Sequence, residues 1–319
     1  MELIDRVAYR LKLRDLRLLD TVVRQGTMAK AAAQLHLSQP AVSKAVAEME
    51  QLLGVRLIDR GRRGIEPTPH GQALLKSAVA IFDELRHGVM EIEFLSDPTA
   101  GEVRIATSEP YAAGLVPSLI ASFSRRYPRV SIYVIQAPIS SLPFRVQRYR
   151  ELHERNVDLI LGPIVDPIAE AGLEAEPLFK ERTVVVAGTR SQLPRRRALS
   201  LADLVDEPWC LPPPYTFVGT QIVEAFRASG LAIPRKTVVS VSIQLQTGLL
   251  ATQRYVSMLP ESLMRFSAKR FSLKVLPIEP PIQLTTIGII TMKNRTINPV
   301  AQLFIETARE ITKPLSKLN

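Results

Sequence analysis

The chain has 319 residues, 46% of them hydrophobic and 23% charged, with a formal net charge of +10. That length allows two or three domains with full cores, and the charge suits a polyanionic partner without proving one. Cys210 is the single cysteine, and no apolar run reaches the length of a signal h-region or membrane span, so a cytoplasmic location without structural disulfides or membrane partner is expected.

Residues 13–25 read as a helix with Leu16, Leu19 and Val23 on one face. Residues 28–50 then read as two helices broken by a tight turn. Ala31, Ala32 and Ala33 keep the first of these thin enough for close crossing, and Leu35 and Leu37 form an apolar wedge under the bend. Ser38 is placed to cap the next helix, with Pro40 just inside it, where no N–H is needed. Val42, Val46 and Met49 make its buried stripe, leaving Gln39, Ser43 and Lys44 on the polar face near its start, as a DNA-reading helix requires. An ordinary helical hairpin would explain the alanines but not this capped helix with a polar face.

Residues 55–68 read as a short hairpin, or wing, turned at Gly61 and Gly64, with Arg60, Arg62 and Arg63 crowding its tip towards phosphates or a narrow minor groove. Up to Ile81 there are 13 basic against 8 acidic side chains, so about half the excess positive charge lies elsewhere. From residue 69 to 95 no proline interrupts. Leu74, Ala78, Ile81, Leu85, Val89 and Ile92 repeat near the 3.5-residue period of a two-helix seam, which predicts a dimerisation helix about 40 Å long. Residues 96–101 end it as a hinge.

Beyond Gly101, β-rich runs at residues 103–106, 130–135, 157–161, 183–187, 238–241, 256–259 and 286–291 alternate with helical stretches, which predicts an α/β architecture with mainly parallel sheets. His36, His70, His87 and His153 lack metal-ligand spacing, and Walker, nucleophile-elbow and dinucleotide motifs are absent, so no metal, cofactor or catalytic residue is expected. Cys210 reads as a small buried residue beside Trp209.

The run formed by Leu16, Ala31 to Ala33, Leu35, Ser38-Gln39-Pro40-Ala41-Val42-Ser43, Leu52, Gly54, Leu57 and Arg60, with Pro67-Thr68 and His70-Gly71 after it, resembles the N-terminal domain of LysR-type transcriptional regulators. Ile58 departs from the pattern, standing where the family usually has Phe. The resemblance implies a winged helix-turn-helix over residues 1–68, a linker helix and hinge over 69–100, and an effector-binding domain over 101–319. That last region is implied to be two α/β subdomains like a periplasmic solute-binding protein, about 102–183 with 286–319, and 184–285.

It also implies that duplex operator DNA is contacted by Ser38, Gln39, Pro40, Ser43, Lys44, Arg60, Arg62 and Arg63. Leu74, Ala78, Ile81 and Leu85 would join two subunits of a dimer, and two dimers would join as a tetramer. A small polar or anionic effector would lie among Thr107, Ser108, Gln136, Pro138, Tyr215, Thr216 and Phe217, at strand carboxyl ends and helix N-termini. Residues 249–262 are most similar to the galactose-binding-protein regulator subgroup, which points to a sugar-related or aromatic-acid effector, although Tyr255 stands where many relatives have glycine. Two other readings stay open at this point: a ligand-independent architectural DNA-binding protein, and a solute-binding or enzymatic module with an accessory helical domain.

Overall fold

The computed structural model describes residues 7, 9–61, 64–136, 149–165, 168, 172–191, 193 and 199–316. The chain divides into two compact units, residues 1–88 and 89–319.

The first unit is helical with one hairpin. Helix α1 (Leu13–Gln25) starts where the Lys12 N–H donates to Asp15 and stops at Gly26, whose φ of 68° is open to glycine at no steric cost. Helix α2 (Met28–Leu35) is capped by Thr27 and ends at His36, a non-glycine residue in the left-handed region with φ 54°. Helix α3 (Gln39–Leu53) begins at Ser38, whose hydroxyl accepts from the Ala41 N–H at 3.3 Å. Leu19, Val22, Ala31, Val42, Val46 and Leu57 are essentially sealed between these helices. The wedge is smaller than expected: Leu35 packs on this core, but Leu37 is 48% exposed and Ala33 faces outward, so Ala31 and Ala32 alone make the close crossing.

Strands β1 (Ile58–Gly61) and β2 (Gly64–Pro67) pair antiparallel as the wing, with Arg60 opposite Ile65. The Ile65 N–H donates to the Gly26 carbonyl at 2.8 Å, tying the wing to the end of α1. Ile58, in the place of the family's Phe, is buried in the same core. Helix α4 (Pro69–Ser96) follows directly.

In the second unit the described residues build two five-stranded sheets. One runs β4-β3-β5-β12-β6, from β3 (Ala100–Thr107), β4 (Arg129–Gln136), β5 (Leu159–Pro163), β6 (Leu173–Glu181) and β12 (Thr285–Met292). The other runs β11-β7-β10-β8-β9, from β7 (Thr183–Gly188), β8 (Trp209–Leu211), β9 (Thr237–Val239), β10 (Val256–Pro260) and β11 (Leu273–Val275). The chain therefore passes between the sheets twice, at Arg182 and again between β11 and β12.

The expectation of mainly parallel sheets is corrected. β3 is parallel to β4 and β5, and β8 to β9 and β10, but β12 is antiparallel to β5 and β6, and β7 to β10 and β11. The antiparallel strands are those next to the two crossings, where the chain turns straight back into a sheet without a helix between. Helices α5 (Glu109–Ala113) and α6 (Leu115–Arg126) follow β3, and α7 (Arg150–His153) precedes β5. Helix α8 (Phe217–Ala228) follows β8, α9 (Ile243–Ala251) lies between β9 and β10, and α10 (Glu261–Phe271) follows β10. Helix α11 (Pro299–Ser316) closes the chain, packing Phe304 edge-on against Phe123 in the core of the first sheet.

Candidate functional site

On the first unit, the start of α3 presents Ser38, Gln39, Pro40 and Lys44 to solvent, with Ser43 half-buried. The apolar stripe Val42, Val46 and Met49 holds the opposite face, so the helix cannot roll without exposing it. Lys44 meets Glu48 at 3.8 Å with both side chains largely exposed, a contact too weak to withhold the ammonium from a phosphate. Arg60 is exposed on β1; Arg62 and Arg63 lie outside the described residues.

The wing is braced from behind. The Glu50 carboxylate accepts from the Leu57 and Ile58 N–H groups at 2.7 and 3.3 Å, while the Thr68 hydroxyl donates to the Arg56 carbonyl and accepts from the Gly71 N–H. Glu50 and Thr68 brace the hairpin, and no local sequence pattern marks either of them for that part.

The proposed seam on α4 divides. Leu74 packs on the helix-turn-helix core of its own chain and Ala78 is 2% exposed, whereas Ile81, Leu85, Val89, Ile92 and Leu95 are 43 to 76% exposed. Leu74 and Ala78 therefore serve their own subunit: the first turns of α4 lie against the domain they leave. Asp83, Glu84 and His87 on the same helix bring three potential ligand atoms within 4.8 Å, a grouping that histidine spacing alone does not reveal. Arg86 reaches Asp83 at 2.8 Å and already supplies the counter-charge a cation would.

In the second unit a cavity of about 350 Å³ opens at the carboxyl ends of the parallel strands of both sheets. Ser108 to Tyr111, Gln136 and Pro163 line it from the first sheet's side. Pro212, Tyr215 to Val218, Val241, Ile243, Gln246 and Met258 to Pro260 line it from the second. Five of the expected residues meet here: Ser108, Gln136, Tyr215, Thr216 and Phe217. Pro138 lies outside the described residues.

Thr107 is not among the lining residues. It is fully buried and donates its hydroxyl to the Leu161 carbonyl at 2.8 Å. Strand alternation puts it on the face of Val103 and Ile105, both also fully buried, and Ser108 lines the cleft instead.

The pocket's polar groups differ in what they can offer. Thr216 caps α8: its hydroxyl donates to the Pro213 carbonyl and accepts from the Gly219 N–H. A Cβ on Gly219 would stand 2.0 Å from the Pro213 carbonyl oxygen, so the loop can fold onto the helix only with glycine there. Gln246 donates to the Ser240 carbonyl and accepts weakly from Ser257. Ser108, by contrast, starts α5 without a side-chain capping bond, leaving its hydroxyl to the cavity.

Tyr111 donates to Glu181 at 2.7 Å, and burial raises the pKa of both groups. Cys210 lies at 0% exposure on β8, where burial pushes its thiol up to about 11.

Residues 13–72 match the family described as "Bacterial regulatory helix-turn-helix protein, lysR family", and residues 96–313 match "LysR substrate binding domain". The chain belongs to the LysR family of transcriptional regulators, with a helix-turn-helix DNA-binding domain followed by an effector-binding domain. It is 29% identical over 301 residues to the HTH-type transcriptional regulator GbpR of Azospirillum brasilense, spanning 94% of this chain and 86% of that protein. It is also 29% identical over 297 residues to the transcriptional dual regulator GltC of Bacillus subtilis, spanning 93% and 96%. The fold is similar to full-length CbnR complexed with its target DNA, at TM-score 0.63 and 20% identity over 94% of this chain and 99% of that one. No helix among the described residues is long and apolar enough to cross a membrane.

Proposed function

We propose that this regulator reads a pseudo-palindromic operator through the start of α3 and through Arg60 on the wing. A small molecule held in the cavity between the two sheets changes that binding. The observation that carries the reading is the convergence of strand carboxyl ends and helix starts from both sheets on one cavity, since an occupant gripping both walls favours the pose in which they approach.

Residues 1–68 act as the DNA-binding domain, 69–100 as linker and 101–319 as the effector domain, in a cytoplasmic homodimer that pairs into a tetramer and carries out no catalysis. Ile81 and Leu85, which α4 leaves uncovered, are the seam residues that remain for subunit contact. Phe217 and Tyr215 suit the face of a ring, and Ser108 with the first N–H groups of α8 suits a hydroxyl or carboxylate, which fits a sugar-related or aromatic-acid effector.

Footprinting on the DNA upstream of its own reading frame, with and without candidate metabolites, tests operator and effector together. Ser108→Ala and Phe217→Ala are expected to keep the footprint and lose its response. A response undiminished in both variants places the effector elsewhere, and the lack of any footprint overturns the operator reading.

A further inference from the structure

The pocket wall formed by Tyr111 continues as a hydrogen-bonded chain to the point where the polypeptide leaves one sheet for the other. Tyr111 Oη donates to Glu181 Oε2 at 2.7 Å, and Glu181 Oε1 accepts from the Ser262 N–H at 2.8 Å. Glu181 is the last residue of β6 and only Arg182 separates it from β7. Its two oxygens serve different sides: Oε2 holds α5, which follows the first sheet's β3, and Oε1 holds the first turn of α10, which follows the second sheet's β10.

The carboxyl is 5% exposed, and Tyr111 and Ser262 are 4% and 3% exposed. Taking such a group out of water is tolerated only while its hydrogen bonds are met, so losing either partner is costly. Arg182, the next residue, turns outward to Glu261 at 3.8 Å and to Glu279 of the return crossing at 3.6 Å. Two other contacts join the same elements without touching the carboxylate. Ser267 donates to the Ala113 carbonyl at 2.8 Å, and Leu263 packs under Gly114.

We propose that Tyr111 and Glu181 are positioning residues that make the pocket wall and the chain crossing move as one piece, and so set the relative pose of the two sheets. This rests on the reading of the cavity as the effector site. An occupant that displaces the Tyr111 ring displaces its hydroxyl; Glu181 must then follow or give up a buried hydrogen bond, and through Ser262 it carries α10 with it. Two discrete arrangements of this chain would give an occupant its leverage, limited by its difference in affinity for them. Tyr111 is then the residue through which the effector is felt.

The test measures pose in the full-length protein. Nitroxide labels are placed at Ser131→Cys and Arg227→Cys, exposed positions on β4 and α8, in a Cys210→Ser background diluted with unlabelled chain. Electron–electron resonance then reports the distance between the sheets. Tyr111→Phe keeps the ring and removes only the tie, and it is expected to broaden or displace that distance, as is Glu181→Ala. Glu181→Gln is expected to retain it, because the amide oxygen still accepts from Ser262 while the amide nitrogen donates to Tyr111 Oη. Ser267→Ala, which cuts a contact outside the chain, is expected to change nothing.

A native distance in Tyr111→Phe overturns the proposal, and so does an equal change in Ser267→Ala. Should Glu181→Ala fail to fold, Tyr111→Phe decides alone. Operator footprints of the same variants are read separately. A native protein that leaves no footprint fails the DNA reading, while the distances still judge the relay.

Discussion

A Cβ on Gly71 would stand 1.9 Å from the carbonyl oxygen of Leu57, so the first turn of α4 lies in direct backbone contact with the residue that leads into the wing. Neither partner is a flexible side-chain end, and Gly71 is buried. Gly71→Ala is expected to destabilise the first unit towards the upper end of about 1 to 3 kcal/mol for overpacking. Calorimetry of the full chain should show the first unit's unfolding moved to lower temperature; an unshifted scan would mean that α4 slides away without cost.

Gln39 stands exposed at the first position of a capped helix, where glutamine can pair with an adenine edge. Gln39→Ala is expected to weaken operator binding by about 1 to 3 kcal/mol while leaving random duplex almost unaffected. For Lys44→Ala and Arg60→Ala the expected loss is uniform across sequences, with the slope of log affinity against log salt flattened by about 1 each. Anisotropy titrations at several salt concentrations separate the two behaviours.

Ile81 and Ala78 sit one turn apart on α4 yet face different surroundings, 43% and 2% exposed. Ile81→Asp is expected to leave the subunit folded but to weaken dimerisation, because the charge would be buried only in the assembled pair. Ala78→Asp is expected to unfold the first unit, since the charge is trapped within its own chain. Sedimentation velocity with circular dichroism distinguishes these outcomes, and an undisturbed Ile81→Asp dimer would move the interface elsewhere.

Arg309 of α11 holds Glu176 of β6 through two hydrogen bonds of 2.6 and 2.8 Å, and this keeps the Glu176 carboxyl below its usual range. A folded-state pKa below the unfolded one means stability that is present above about pH 4.5 and lost as acid titrates the carboxylate. Both side chains are at least 40% exposed, so solvent screening leaves the pair worth about 0.5 kcal/mol. A double-mutant cycle with Glu176→Gln and Arg309→Met should return that coupling at pH 7 and a smaller one as the pH falls through the acid range.

What was legible in the sequence is what short-range physics controls. Residues 13–25 read as α1 because Leu16, Leu19 and Val23 share one face, and 69–95 as α4 because a seam of 3.5-residue period runs there without an interrupting proline. Strands β6, β8 and β11 were not seen. β8 and β11 are three residues each, too short for alternation to show, and β6 mixes Glu and Lys with apolar positions because it lies at a sheet edge. Strand direction is not legible locally, because pairing is decided by partners far along the chain.

At the pocket, Ser108 is legible as a residue that follows the β-rich run 103–106, and Phe217 as one at a helix start. Thr107 is expected in the pocket but is sealed, and because Ala106 on the other face is sealed as well, alternation along this strand does not tell which residue reaches the cleft. The bond between Tyr111 and Glu181 spans 70 residues, and nothing local in either segment announces it.

Two peptide crossings between the sheets, at Arg182 and between β11 and β12, act like the two hinges of a door. One connection would leave the halves able to swivel and twist; two leave a single soft rotation about the line that joins them. In such a rotation a wall far from that line would travel farther than one beside it. Occupants of different chemistry would then all be felt through the same quantity, the separation of the two walls.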